Sequence, residues 1–323
     1  MLKDSARRAV VAVLGGSGFV GRALANRLQA MNVDVRVLTR ARRHTRELWP
    51  LPNVTCIELD VYDEQALATA FAGCAGVVNL VGILNERRDD GRDFRRAHVD
   101  LTQRALTAAV AARVPRFVQM SALGASPDAP SRYLRSRAEA EQQVLANAGL
   151  RTAILQPSVI FGPGDGLFCR FAELVRWLPC LPLAGADVRF QPVYVGDVAT
   201  ALERVLDNDH LPTGTRFELG GDAVWTLREI VEYTARHTGH LCPVLALPNW
   251  LGRVQAEICE HLPGKPFSRD NWRSLQRDSV VTGTEGLAVL GITPTPITAV
   301  MPQVLAIPRR QRAFDAHRRR ARR

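Results

Sequence analysis

The sequence has few cysteines and no long hydrophobic run. Its six cysteines are scattered over 323 residues without a C-x-x-C pair, which excludes a disulfide scaffold. Only His237 and His240 have a metal-ligand spacing, and no carboxylate or cysteine ligand is expected to join them, so no metal site is expected. No stretch approaches the ~18 consecutive apolar residues that a membrane-spanning helix needs. The sequence therefore predicts a protein of a reducing, cytoplasmic compartment that does not span a membrane.

Lysine is almost absent, and the basic charge is concentrated at one end of the chain. Lys3 and Lys265 are the only lysines among 42 basic residues, and the formal net charge is +10. Residues 309–323 hold eight arginines and one aspartate, a net +7. Such a run predicts a basic, disordered tail. Binding of this tail to an acidic partner or to the inner face of a membrane, as a peripheral protein, is the alternative. Nucleic acid is not expected, since no nucleic-acid fold signature is present.

Short β-branched runs alternate with helical stretches over residues 9–155. The predicted strands are residues 10–14, 33–38, 54–59, 76–81, 116–120 and 151–155. This rhythm predicts an α/β fold, a Rossmann-type doubly wound parallel sheet that forms a nucleotide-binding domain over residues 1–155. Beyond Gln156 the regularity weakens, which predicts a smaller C-terminal α/β domain over residues 156–308 that contributes to the same cleft.

A glycine-rich turn follows the first predicted strand and opens a helix. Glycines at this position permit a tight turn, so that a pyrophosphate can lie on the amides and the positive end of the helix. A plain turn is the alternative. The predicted dinucleotide contacts in this segment are Gly15, Ser17, Gly18, Phe19, Val20 and Gly21.

Further cofactor contacts are expected at the carboxyl ends of the other strands. Arg40 follows the second strand, where an arginine can pair with a 2′-phosphate, so NADP(H) is favoured over NAD(H). A solvated arginine is the alternative reading. Asp60 is positioned either to accept from the adenine amino group or to cap the next helix. The remaining predicted contacts are Val61, Leu80, Val81, Gly82 and Pro157.

Five motifs are similar to those of one enzyme superfamily. They are VNLVG at residues 78–82, SALG at 121–124, YLRSR at 133–137, PSVIFGP at 157–163 and VYVGDVA at 193–199. With the glycine motif, they resemble the short-chain dehydrogenase/reductase superfamily of the extended or atypical, NAD-dependent epimerase/dehydratase-like kind. NLVGIL at 79–84, PFSRD at 266–270 and DSVV at 278–281 resemble the subfamily that includes the nucleotide-binding accessory subunit of respiratory complex I and proteins linked to quinone biosynthesis.

The resemblance implies catalytic positions at Tyr133, Ser121 and Arg137. In the superfamily the tyrosine is a general acid/base, the serine polarises the substrate oxygen, and a lysine four residues after the tyrosine binds the nicotinamide ribose. Arg137 stands at the lysine position and keeps its charge with a different geometry. His98 stands where many relatives have a water-holding asparagine. Without the family, Tyr133 reads as an aromatic packed on the core and His98 as a helix-surface residue.

Two functions follow from the resemblance. The first is an NAD(P)H-binding protein linked to respiratory complex I or quinone metabolism that does not turn over its dinucleotide, with a respiratory partner or a membrane surface engaged through the tail. The second is an NADP(H)-dependent reductase or epimerase/dehydratase that uses Tyr133 on a small carbonyl or sugar-nucleotide substrate. The substrate itself is not encoded in any motif.

Residues 247–262 predict an amphipathic helix opened by Pro248. A membrane-resting helix and a substrate lid are two interpretations. Packing against the protein core is the expected one, because the polar face carries charges of both signs. The apolar face comprises Trp250, Leu251, Val254 and Ile258.

Overall fold

The computed structural model describes residues 8–306 and contains short strands throughout. They are β1 (Val10–Leu14), β2 (Asp34–Thr39), β3 (Val54–Glu58), β4 (Gly76–Asn79), β5 (Arg116–Met120), β6 (Arg151–Pro157), β7 (Ile160–Phe161), β8 (Leu181–Ala184), β9 (Arg189–Phe190), β10 (Val193–Tyr194), β11 (Thr215–Leu219), β12 (Trp225–Thr226) and β13 (Val244–Leu247). The predicted tail, residues 309–323, lies outside the described residues.

Helices connect most of these strands. They are α1 (Phe19–Ala30), α2 (Glu64–Phe71), α3 (Arg92–Phe94), α4 (Leu101–Ala111), α5 (Arg132–Ala146), α6 (Phe168–Trp177), α7 (Val195–Asp207), α8 (Leu227–Thr238), α9 (Asn249–Glu260), α10 (Arg269–Ser274), α11 (Gly286–Val289) and α12 (Ile297–Leu305). A 3₁₀ helix spans Arg42–Leu48, and a π-helical segment, Arg95–Asp100, joins α3 to α4.

Seven parallel strands form the central sheet in the order β11-β6-β5-β4-β1-β2-β3. The chain order reverses between β1 and β4, and this reversal opens a crevice at the carboxyl ends of the two strands. The inner strands are buried on both faces, because α1 and α7 cover one side while α2 and α4 cover the other. The predicted Rossmann-type α/β fold is confirmed.

The seventh strand of the sheet comes from beyond the predicted domain boundary at residue 155. β11 pairs in parallel with β6, with Thr215 opposite Ala153 and Leu219 opposite Pro157. α7 also returns to the first unit, where it packs on α1. Without β11, β6 would be the edge strand of the sheet, with one of its two sides unpaired. A division at residue 155 therefore does not separate the sheet from the rest of the chain.

The smaller C-terminal part has its own apolar core. Its β8 and β13 pair in parallel, with Leu181 opposite Val244. The side chains beneath this pair pack on α6 and α8, and α12 covers α8 from another side. Between residues 8 and 306, no helix has the length and apolarity to cross a bilayer.

The predicted amphipathic helix is present as α9, but the expectation that its apolar face packs on the core is wrong. Gly252 and Ala256 are buried, whereas Trp250 is 67% exposed and Ile258 is 61% exposed. Small residues form the packed side, so the helix lies close to β8 and its large apolar side chains face outward.

Candidate nucleotide site

The glycine-rich turn has the geometry that a dinucleotide phosphate needs. Gly15 adopts a φ of +75°, which favours glycine, and the Gly18 amide donates to its carbonyl at 3.0 Å. A side chain at Gly21 would overlap the backbone of Gly16, so this glycine lets α1 lie close to the turn. No side chain caps α1, and its first turn has no acidic residue. The amides at this helix start are therefore arranged to receive an anion.

The other residues predicted to contact the dinucleotide at this turn are Ser17, Phe19 and Val20, and each has a different structural position. The Ser17 carbonyl accepts a hydrogen bond from the Arg22 side chain at 3.2 Å, Phe19 begins α1, and Val20 packs on the sheet core. A Cβ on Gly162 would contact the Phe19 ring at 3.6 Å. The segment after β7 therefore reaches the start of α1.

The segment after β4 borders the glycine turn. A Cβ on Gly15 would lie 3.1 Å from the carbonyl carbon of Leu80 and from the amide nitrogen of Val81. A Cβ on Gly82 would overlap the guanidinium of Arg137. Pro157 ends β6, and its carbonyl accepts from the Leu123 amide at 3.0 Å. The structure thus brings residues 80–82, the glycine turn and Arg137 together.

Arg40 and Asp60 lie at the same edge of the sheet, after β2 and β3. Both are exposed, whereas Val61 is buried. The Asp60 carboxylate accepts from the Tyr62 amide at 3.0 Å. The alternative that Asp60 caps the next helix is wrong, because Asp63 caps α2 by accepting from the amides of Gln65 and Ala66.

Arg137 is held inside the protein by two strands. Its side chain is buried, and Nη1 donates to the carbonyls of Val81 at 3.3 Å and Met120 at 3.0 Å. Its Nε is buried and makes no hydrogen bond. The guanidinium also lies 5.4 Å from the centre of the Tyr133 ring. Arg137 thus joins the ends of β4 and β5 beneath the tyrosine.

Ser121 belongs to a buried polar network that sequence reasoning missed. Its hydroxyl donates to Oε1 of Glu141, which is 2% exposed. The same oxygen accepts from Nε2 of Gln156 at 2.8 Å, and Oε2 pairs with Arg216 at 3.2 Å. A signal for Glu141 was available, because it stands four residues after Arg137 on the same face of α5. The Ser121 proton is directed into the protein.

Tyr133 begins α5 with its ring half-buried between other rings. Its ring centre lies 6.0 Å from that of Phe94 and 5.6 Å from that of His98, both edge-on. Asp270, from α10, accepts from the backbone amides of Arg132 at 2.8 Å and Tyr133 at 3.0 Å. The C-terminal part therefore fixes the start of the helix that presents the tyrosine.

His98 is buried within the π-helical segment, so the alternative of a helix-surface histidine is wrong. Its Nε2 accepts from the Ile83 amide at 3.1 Å. Its Nδ1 lies 2.7 Å from the hydroxyl of Ser136, which donates to the Tyr133 carbonyl. Burial, followed by the charge of Arg137, lowers the pKa of His98 to about 2. The imidazole is therefore neutral, and its two nitrogens link the Ile83 amide to the Ser136 hydroxyl.

Within residues 8–306, no three His, Cys, Asp or Glu side chains are grouped to hold a metal ion. The polar atoms at the crevice are backbone amides, hydroxyls and the arginine. This donor set fits a phosphate and a ribose.

The parallel sheet, the glycine turn at its point of reversal and the Tyr-x-x-x-Arg pair on α5 define a protein of the short-chain dehydrogenase/reductase type. The chain belongs to the NAD dependent epimerase/dehydratase family, whose model matches residues 11–220. That range ends just after β11, the last strand of the central sheet.

Two similar proteins carry the same description, "NADH dehydrogenase [ubiquinone] 1 alpha subcomplex subunit 9, mitochondrial". The one from Arabidopsis thaliana is 34% identical over 71% of this chain, which spans 58% of that protein's length. The one from Mus musculus is 29% identical over 97% of this chain and 83% of that protein.

A similar solved structure is DesIV (dTDP-glucose 4,6-dehydratase) from Streptomyces venezuelae with NAD and TYD bound. Its TM-score is 0.73 at 20% identity, and the match covers 94% of this chain and 98% of the other. At this identity the similarity shows the fold alone.

Proposed function

We propose that the chain binds a nicotinamide dinucleotide in the crevice and keeps it as a structural ligand, as an accessory protein of respiratory complex I or of quinone metabolism. The observation that supports this proposal is that the side chains of Ser121 and Arg137 donate their hydrogen bonds to other groups of the protein. Hydride transfer in this superfamily needs the equivalent groups to face the substrate and the ribose.

The hydrogen bonds of Ser121 and Arg137 keep each side chain from a different role in hydride transfer. The Ser121 hydroxyl donates to Glu141, so its proton does not polarise a substrate oxygen. Arg137 directs Nη1 to two backbone carbonyls. Breaking these bonds would leave buried carbonyls without a donor, at about 1 to 3 kcal/mol each. Both groups therefore support the site without entering a reaction.

The dinucleotide would lie with its pyrophosphate on the amides at the start of α1. Its ribose and nicotinamide would extend past Gly82 toward Tyr133. When bound, the nicotinamide supplies a hydride donor or acceptor. Arg40, exposed after β2, favours NADP(H) because its guanidinium can pair with a 2′-phosphate.

The respiratory assignment is supported by the relatives described as subunit 9 of the NADH dehydrogenase alpha subcomplex. The mouse match extends over nearly the full chain, including the C-terminal part that fixes α5 through Asp270. A peripheral location at the inner face of a membrane is consistent with such a partner.

The test is to purify the protein, denature it, and identify the released nucleotide and its redox state by chromatography. Tightly retained, reduced NADPH supports the structural role, since a turned-over cofactor would exchange. An empty protein, or a mixture of NADP⁺ and NADPH that exchanges readily, would contradict it. Gly18→Leu, prepared in parallel, should release no nucleotide, because the leucine side chain would occupy the pyrophosphate position.

A reductase or an epimerase/dehydratase is the second candidate, and the pairing of Tyr133 with Arg137 favours it. The guanidinium of Arg137 lies 5.4 Å from the centre of the Tyr133 ring, so the two side chains that the superfamily uses in catalysis are adjacent here. If Arg137→Lys raised turnover of a test carbonyl or quinone with NADPH, this candidate would gain. If neither form turned over a substrate, the structural role would gain.

A further inference from the structure

The outward side of α9 carries a row of large apolar side chains, here called the α9 face. Trp250 is 67% exposed, Val254 46%, Ile258 61%, and Leu262, just after the helix, 48%. The spacing of four residues keeps them on one side of the helix. Trp250 to Ile258 span about 12 Å at the α-helical rise, and Leu262 follows beyond the end of the helix.

The opposite side of α9 explains why this row has no partner within the described chain. A Cβ on Gly252 would lie 2.8 Å from the Ala184 Cβ on β8, and Ala256 is fully buried. The helix is already attached on that side, so it cannot rotate to bury the α9 face. The row also points away from Trp272 of α10, which a Cβ on Gly252 would approach at 3.5 Å.

Two further apolar side chains, Leu241 and Leu245, are exposed just before and on β13, a strand that α9 contacts. Leu245 is 52% exposed and pairs with Pro182 of β8. The Pro182 carbonyl accepts from Nε2 of Gln255 at 2.8 Å, which places α9 beside this strand pair. Leu241, just before β13, is 97% exposed. Large apolar side chains that are exposed in a row, as on α9, are typical of an interaction surface.

We infer that the α9 face docks at the boundary between the headgroups and the acyl chains of an anionic lipid bilayer. The formal net charge of +10, with eight arginines in residues 309–323, is complementary to lipid phosphates. α9 has exposed charges of both signs, Arg253 and Glu257, so the helix supplies apolar contact rather than net attraction. An apolar face and a polybasic segment together are the two signals that stable peripheral attachment needs. This inference does not depend on the dinucleotide.

The experiment measures flotation of the full chain with vesicles of equal parts phosphatidylglycerol and phosphatidylcholine. Val254→Glu and Ile258→Glu place a charge in the α9 face and should each lower the partition coefficient at least about tenfold. Val110→Glu is the matched control, because Val110 is 42% exposed on α4 and lies outside this surface. The control should partition as the unchanged protein does.

A second measurement follows the insertion of Trp250 directly. Brominated acyl chains should quench tryptophan fluorescence of the bound protein. The Trp250→Phe variant should lose this quenching, whereas Trp49→Phe should keep it, since Trp49 is 64% exposed beside the 3₁₀ helix.

Four outcomes would overturn the inference. They are no flotation of the unchanged protein, equal flotation of the glutamate variants, complete dependence on residues 309–323 with no effect of those variants, and a dimer in solution that the variants dissociate. The last would assign the α9 face to a second copy of the chain. Retained nucleotide in the same preparations would keep these failures separate from a failure of the proposed function.

Discussion

The buried histidine of the site makes folding stability sensitive to mild acid. His98 is 1% exposed, accepts a hydrogen bond from Ile83 at Nε2, and has Nδ1 paired with Ser136. A second proton would remove the acceptor for the Ile83 amide and place a charge beside Arg137. Burial of the imidazole, and then the positive charge of Arg137, lower the pKa of His98 from 6.5 to about 2.

Because the pKa of His98 is lowered in the folded state, the free energy of unfolding decreases as the pH falls. The folded state binds the proton more weakly than the unfolded chain, so the contribution of His98 is complete above about pH 6.5 and is lost as the pH falls toward about 2. Between about pH 7 and about pH 5, proton uptake by the unfolded chain lowers the free energy of unfolding by about 2 kcal/mol.

Urea unfolding at these two pH values, followed by circular dichroism, measures the effect. The His98→Asn variant should lose about 2 kcal/mol less than the unchanged protein over this interval. His44→Asn, at an exposed histidine, should show the same pH dependence as the unchanged protein. An identical pH dependence in His98→Asn and the unchanged protein would refute the reasoning.

Three other substitutions test the nucleotide site. Arg40→Asp should weaken NADPH binding at least about tenfold more than NADH binding in a fluorescence titration, and equal losses would remove the specificity argument. Gly18→Leu should abolish dinucleotide binding in the same titration while the protein remains folded by circular dichroism, and retained binding would overturn the site assignment. Gly21→Ala should lower the free energy of unfolding by about 2 kcal/mol or more, because the added Cβ would overlap the Gly16 backbone. Gly166→Ala is the control and should change the free energy of unfolding by less than about 0.5 kcal/mol, because the space around Gly166 is open. Equal effects of the two substitutions would contradict this packing argument.

The central fold was predictable from sequence because its inner strands are buried on both faces. Residues 10–14 and 116–120 were predicted as strands with the bounds that β1 and β5 have. β11 was not placed, because 57 residues separate it from the end of β6 and its pattern does not specify which sheet it joins. α7, which precedes β11 in the chain, packs on α1, and no local pattern encodes this long-range contact.

The glycine turn was the most predictable part of the site, since its conformational demand is local. The partners of Ser121 were not predictable in the same way, because Glu141, Gln156 and Arg216 come from three separate elements. α9 shows the opposite case. Its apolar pattern was read correctly, but Gly252 and Ala256 allowed the other side to pack.

The near absence of lysine has a structural consequence at the centre of the site. Arg137 could be regarded as a lysine replaced under compositional drift, since 40 of the 42 basic residues are arginine. Its geometry argues for more than that, because the guanidinium spans carbonyls after β4 and at the end of β5 from beneath Tyr133. Both hydrogen bonds come from Nη1, at the far end of a side chain that is longer than lysine, so an ammonium would not reach the two carbonyls with the same geometry. Restoring lysine would therefore remove a link between two strands, which supports the structural role proposed above for Arg137.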